Sequence, residues 1–130
     1  MSTTGTIRRT PAARTAYIGL WTLQVLLAAG FLMAGFPKLA GDPATVAMFE
    51  EIGAGDWLRY FVGTLELAGA VGLLVPRLAA EAATGLTLLM IGATFTNVAV
   101  LGVAPWFPLA YLLPAAVIAW VRRGEFRWRS

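Results

Sequence analysis

The sequence predicts an all-α integral membrane protein, a four-helix bundle with a short amphipathic helix in its first external connection. Three observations lead there. Hydrophobic residues make up 58% of the 130-residue chain and charged residues 13%, against about a quarter charged in soluble domains. So small a globule has too much surface to cover with so few polar groups, and a mean hydropathy of +0.72 is far from the low hydrophobicity of disordered chains. The apolar residues gather into four runs, 15–36, 57–75, 79–101 and 106–121, near the roughly 20 residues that cross a bilayer core. Nearly all basic residues fall outside those runs. The chain thus divides into a tail (1–14), a four-span domain (15–121) and a basic tail (122–130).

The first tail is polar and carries Arg8, Arg9 and Arg14. An arginine pair before an apolar run imitates a secretory or twin-arginine signal. The run 15–36 exceeds the 7–15 residues of a signal's apolar region, and no convincing small-residue cleavage site follows. It reads as a retained helix. In the connection 37–56, Asp42 can cap a helix with Pro43 at its first position, where a missing N–H costs nothing. Thr45, Met48, Phe49 and Ile52 share one face at i, i+3, i+4 and i+7, and Gly53 and Gly55 end the helix. Its expected place is the outer interface, in the membrane plane or over the bundle; an ordinary loop is the plainer alternative. The second span holds Arg59 near its start and Glu66 in its interior, the third only Glu81 near its beginning, and the fourth no charge. The fourth is short, and 102–105 can extend it at the interface.

Loop charge predicts the orientation. Arg8, Arg9, Arg14, Arg77, Arg122, Arg123, Arg127 and Arg129 lie in the two tails and the turn at Pro76. The other connections carry Lys38 and Arg59 with Asp42, Glu50, Glu51 and Asp56. Positive loops stay inside, so both termini are expected in the cytoplasm. Trp21, Trp57, Trp106, Trp120 and Trp128 lie near span ends, as in an aromatic belt. The flanking arginines read as topology signals and lipid contacts. A nucleic-acid groove is not visible. The chain has no Cys and no His, which removes the usual ligands of haem, iron–sulfur and zinc centres.

Few residues are left to carry chemistry. Glu66 lies mid-span, where a carboxylate costs several kcal/mol unless paired, hydrated or protonated. Gly63, Gly69 and Ala70 beside it are small and mark a packed face, so Glu66 is expected inside the bundle. It is either a proton or ligand site or a protonated strut between helices. Gln24, Ala28, Phe31, Gly35 and Lys38 form a matching stripe on the first span. Lys38 can turn toward Glu66 or snorkel to water, the plainer outcome. Arg59 shares the face of Glu66, seven residues away. It reads first as a rim residue paired with Asp56 or Glu51, and otherwise as part of a basic mouth. Thr94 and Asn97 share a face in the third span and Tyr111 lies in the fourth. Together these residues suggest a polar pocket opening outward, although Thr94 can simply bond its own helix.

The segments Gly35-Phe-Pro-Lys38-Leu39, Glu51-Ile52-Gly53, Gly63-Thr-Leu-Glu66-Leu-Ala-Gly-Ala70 and Pro76-Arg77-Leu-Ala-Ala80, in this order and at these spacings, resemble the DoxX family of four-span bacterial membrane proteins. The resemblance covers about Leu20 to Val121. Many members carry a His where this chain has Thr96-Asn97, so an imidazole role there does not carry over. The resemblance implies a four-helix bundle in the bacterial inner membrane. The founding member resembles a small subunit of a membrane thiosulfate–quinone oxidoreductase, and others are linked to oxidative-stress complexes. Distant relatives look like membrane chaperones or trafficking receptors. Fold does not fix function. The first expectation is a quinone- or lipid-binding subunit of a membrane redox system, with no covalent cofactor, a soluble redox partner and Glu66 and Lys38 handling protons. The second is a non-catalytic scaffold or assembly factor. The third is a small transporter, which with four spans needs a homo-oligomer and shows no inverted repeat.

Overall fold

The computed structural model describes residues 11–125. Arg8, Arg9, Arg127, Arg129 and Trp128 lie outside them. The elements are α1 (Pro11–Ala40), α2 (Pro43–Ile52), α3 (Asp56–Leu74), α4 (Ala79–Phe95, continuing as a π-helix over Thr96–Leu101), α5 (Trp106–Val121) and a closing 3₁₀ turn (Arg123–Glu125). There is no strand among the described residues. α1 packs on α3, α3 on α4, α4 on α5, and α5 closes the ring against α1. The chain is thus an all-α membrane helical bundle. Three of its helices, Pro11–Ala40, Asp56–Leu74 and Ala79–Leu101, are long and apolar enough to cross a membrane, and α5 is a shorter apolar helix.

The outside is as apolar as the inside. Met33, Phe95, Phe107 and Leu26 are each about two-thirds exposed or more, a surface that hydrocarbon rather than water can cover. Small side chains make up much of the core: among the described residues, six of the thirteen buried hydrophobic ones are alanines. In lipid, helices associate through close packing of small residues rather than through exclusion of water. The helices cross closely on both sides of α3: a methyl group added at Gly69 would lie 2.5 Å from Leu86 Cδ2 of α4, and the crossing with α1 is nearly as tight. A methyl group added at Gly63 would lie 2.9 Å from Lys38 Cβ and 3.2 Å from the Gly35 carbonyl oxygen.

Two expected boundaries shift. The first span runs four residues further at each end than 15–36, over Pro11–Ala40. Pro37, which a sequence reading takes as the stop, sits inside the helix. It gives up the bond to the carbonyl one turn back, and the helix closes only where the N–H groups of Gly41 and Asp42 reach the Pro37 carbonyl, both at 3.0 Å. Residues 79–101 are helical throughout, and the last turn and a half widens to a π-helix.

α2 forms as expected. The Asp42 carboxylate accepts the Thr45 N–H at 3.2 Å, Pro43 is the first helical residue, and Gly53 ends the helix in the left-handed region at φ 85°. Its inward face is the expected one at Thr45, Phe49 and Ile52, which are half-buried or buried; Met48 alone of the four is exposed, and Val46 is half-buried beside them. The face follows what α2 touches, α3 and the π-helix.

Candidate functional site

The glycine crossing sets the position of the most unusual side chains. Gly35 and Gly63 are both buried on facing helices, and Lys38 and Glu66 follow them by one turn each on antiparallel helices. Lys38 therefore starts nearer the α2 end, and its stem folds back across the crossing. Its Nζ lies 2.8 Å from Glu66 Oε1 and also donates to the Ala34 carbonyl at 3.0 Å. Only 4% of the Glu66 side chain and 14% of the Lys38 side chain are exposed. The expectation of a snorkelling Lys38 is thus replaced by a pair turned into the bundle. The reason is the missing side chain at Gly63, which leaves room for the lysine stem.

Arg59 closes the same end. It is buried, its Nη1 donates to the Lys38 carbonyl, and Nη2 lies 3.4 Å from the exposed Asp56 carboxylate. Its guanidinium carbon lies 4.4 Å above the Tyr60 ring. The Lys38 carbonyl is one of those left unpaired at the end of α1, so Arg59 acts as a C-terminal cap. The pairing with Asp56 matches the plainer expectation, although the burial makes Arg59 more than a rim residue. Tyr111 of α5 lies against α1: its hydroxyl donates to the Gly30 carbonyl at 3.2 Å, and its ring meets Phe31 edge-on at 4.9 Å.

The remaining candidates are engaged elsewhere. The Thr94 hydroxyl donates to the Met90 carbonyl of its own helix. Asn97 donates its amide to the Ala104 carbonyl at 3.1 Å, and its own carbonyl receives the Val103 N–H at 2.8 Å. Both bonds tie the π-helix to the turn at Gly102. Gln24 is fully buried on the expected stripe but serves the far end of the bundle. It donates to the Leu73 carbonyl at 2.7 Å, capping the end of α3, and accepts from Arg122 Nε at 2.6 Å.

Arg122 itself is the residue that sequence reasoning missed. It stood among the flanking arginines, yet it is buried, and its Nη1 donates to Glu125 at 2.9 Å. The available signal was Gln24: a buried amide offers both a donor and an acceptor, and the acceptor needs a cation or N–H at the same end.

A family model described as the DoxX-like family matches residues 22–122. Comparison with curated proteins and with solved structures gives no match.

Proposed function

The chain belongs to the DoxX-like family, and on that premise we propose that it is a small membrane subunit of a redox system whose Lys38–Glu66 pair receives the polar head of a quinone. The observation that carries this reading is the pair itself. Two opposite charges inside a membrane-spanning segment are costly to desolvate, and apolar residues of the same size would hold the helices at least as well. A protonated Glu66 can give its proton to a ligand oxygen and is then left as a carboxylate paired with the Lys38 ammonium rather than as a bare charge. The electrons come from a soluble redox partner, because this chain has no Cys or His to hold a metal centre by the usual ligands. Reduction of the quinone to the quinol takes up two electrons and two protons, and Glu66 is the residue placed to relay protons. The setting we propose is the bacterial inner membrane, with both termini cytoplasmic.

The test is binding of a short-chain ubiquinone or menaquinone analogue to the protein in mild detergent, read by tryptophan quenching. Wild type is expected to bind it. Glu66→Gln, which keeps the shape of the acid and loses the proton, is expected to weaken binding at least tenfold at a temperature where circular dichroism shows the variant still folded, although the unpaired Lys38 lowers its thermal midpoint. Absence of binding by wild type, or full binding by Glu66→Gln, would sink the reading.

A second reading, the scaffold, has its own observation. Gln24, Arg59 and Tyr111 each donate to a backbone carbonyl of another helix, so polar side chains also lock the helices together. A scaffold would tolerate Glu66→Gln in cells. A failure there without loss of protein level favours proton handling.

A further inference from the structure

At the end of the bundle opposite α2, we infer a binding site for one anionic phospholipid, its phosphate on Arg122 and an acyl chain along α1. Three observations converge there. Arg122 is 6% exposed; Nε and Nη1 are taken by Gln24 and Glu125, but Nη2 is buried with no hydrogen-bond partner among the described residues. A buried charged donor without an acceptor is costly, and a phosphate is the acceptor that a guanidinium fits best. Next to it, Tyr17, Ile18, Trp21, Thr22, Val25 and Leu26 line an open, apolar groove of about 400 Å³ on α1. Trp21 belongs to both parts, since its ring lies 5.3 Å from the Arg122 guanidinium carbon. The groove thus begins where the guanidinium is, as a lipid with a charged head and an apolar chain requires.

Charge favours the anionic lipid over a zwitterionic one. Arg14, Arg77, Arg122 and Arg123 lie at this end with only Glu81 and Glu125 against them among the described residues, and basic pockets at helix ends select acidic head groups. Glu125 competes with the phosphate for Nη1. The site is independent of the Lys38–Glu66 pair and of the quinone reading.

The experiment is native mass spectrometry of the protein from mild detergent, with phosphatidylglycerol and phosphatidylcholine of identical acyl chains added in parallel. Phosphatidylglycerol is expected to be retained at least tenfold better. Arg122→Gln is expected to abolish that preference, and Arg123→Gln, one residue away on the exposed surface, to leave most of it. Because Arg122→Gln also removes a partner of Gln24, a second variant guards against misfolding: Glu125→Gln is expected to tighten phosphatidylglycerol several-fold. Equal retention of the two lipids, equal losses at Arg122 and Arg123, or weaker binding in Glu125→Gln would overturn the site. So would a gain in lipid binding on truncation after Glu125, because the chain's own last residues would then be the occupant.

Discussion

Lys38 and Glu66 hold each other in place at an energetic cost. A buried pair contributes little net stability, but removing one partner leaves the other charge unpaired and costs roughly 3 kcal/mol or more. Lys38→Met is therefore expected to destabilise the protein by about that amount, less whatever protonation of Glu66 relieves. The double variant Lys38→Met with Glu66→Leu is expected to recover most of the loss, because the two stems keep their volume and no charge stays buried. Reversible unfolding in mixed micelles measures both. If the double variant is as unstable as the single one, the pair is a structural strut in its own right. Lys38 is also the only lysine of the chain, so an aqueous amine reagent reports on it directly. Apart from the chain's α-amino group, the folded protein is expected to resist the reagent, and Glu66→Leu to become reactive as the ammonium turns outward. At this scale the sequence was informative up to a point. The small residues around Glu66 told which face is packed. That Lys38 folds back rather than snorkels depends on the space at Gly63, which only the helix crossing reveals.

At the scale of elements, α1 and α3 are held at a distance that only glycine allows. Gly63→Ala pushes a methyl group into Lys38 Cβ at 2.9 Å and toward the Gly35 carbonyl, and overpacking of this kind costs about 1–3 kcal/mol. Gly92 in α4 has open space around it. Alanine there only improves helix propensity, by up to about 1 kcal/mol. The two variants are expected to move the thermal midpoint in opposite directions, and a shift of the same sign would refute the α1–α3 crossing as a tight point. The two termini of α2 were legible because their signals are local: Asp42 accepts a nearby N–H, Pro43 starts a helix and Gly53 adopts a left-handed turn. Its inward face was legible at Thr45, Phe49 and Ile52 but not at its edge, where Val46 is half-buried and Met48 exposed according to what lies beneath. Nor was the helical continuation through Pro37, because a proline near a helix end loses one bond that the following turn replaces. The π-helix has no local sequence signal either. It is tied down by Asn97 reaching Ala104 and Val103, contacts that come from the return of the chain into α5.

For the molecule as a whole, the four apolar runs were legible because lipid demands long, nearly uncharged helices, and the ring order of the bundle follows from short connections. What composition could not separate is the division of the polar residues into two groups. Gln24 and Lys38 sit on one stripe of α1, yet Gln24 pairs with Arg122 at one end and Lys38 with Glu66 toward the other. The two ends also differ in charge. The α2 end carries Asp42, Glu50, Glu51, Asp56 and Glu66 against Lys38 and Arg59, and the other end is basic. Positive loops resist translocation, so the basic end is expected in the cytoplasm and α2 outside. The chain has no Cys, which makes single-cysteine labelling of intact cells unambiguous. With cysteines placed one at a time at Thr4, Ala47 and Ser130, a membrane-impermeant maleimide is expected to react only at Ala47, an exposed residue of α2. Reaction at Thr4 or Ser130 instead would invert the molecule. The proposed lipid site at Arg122 would then face the outer leaflet, and protons would reach Glu66 from the cytoplasm rather than from outside.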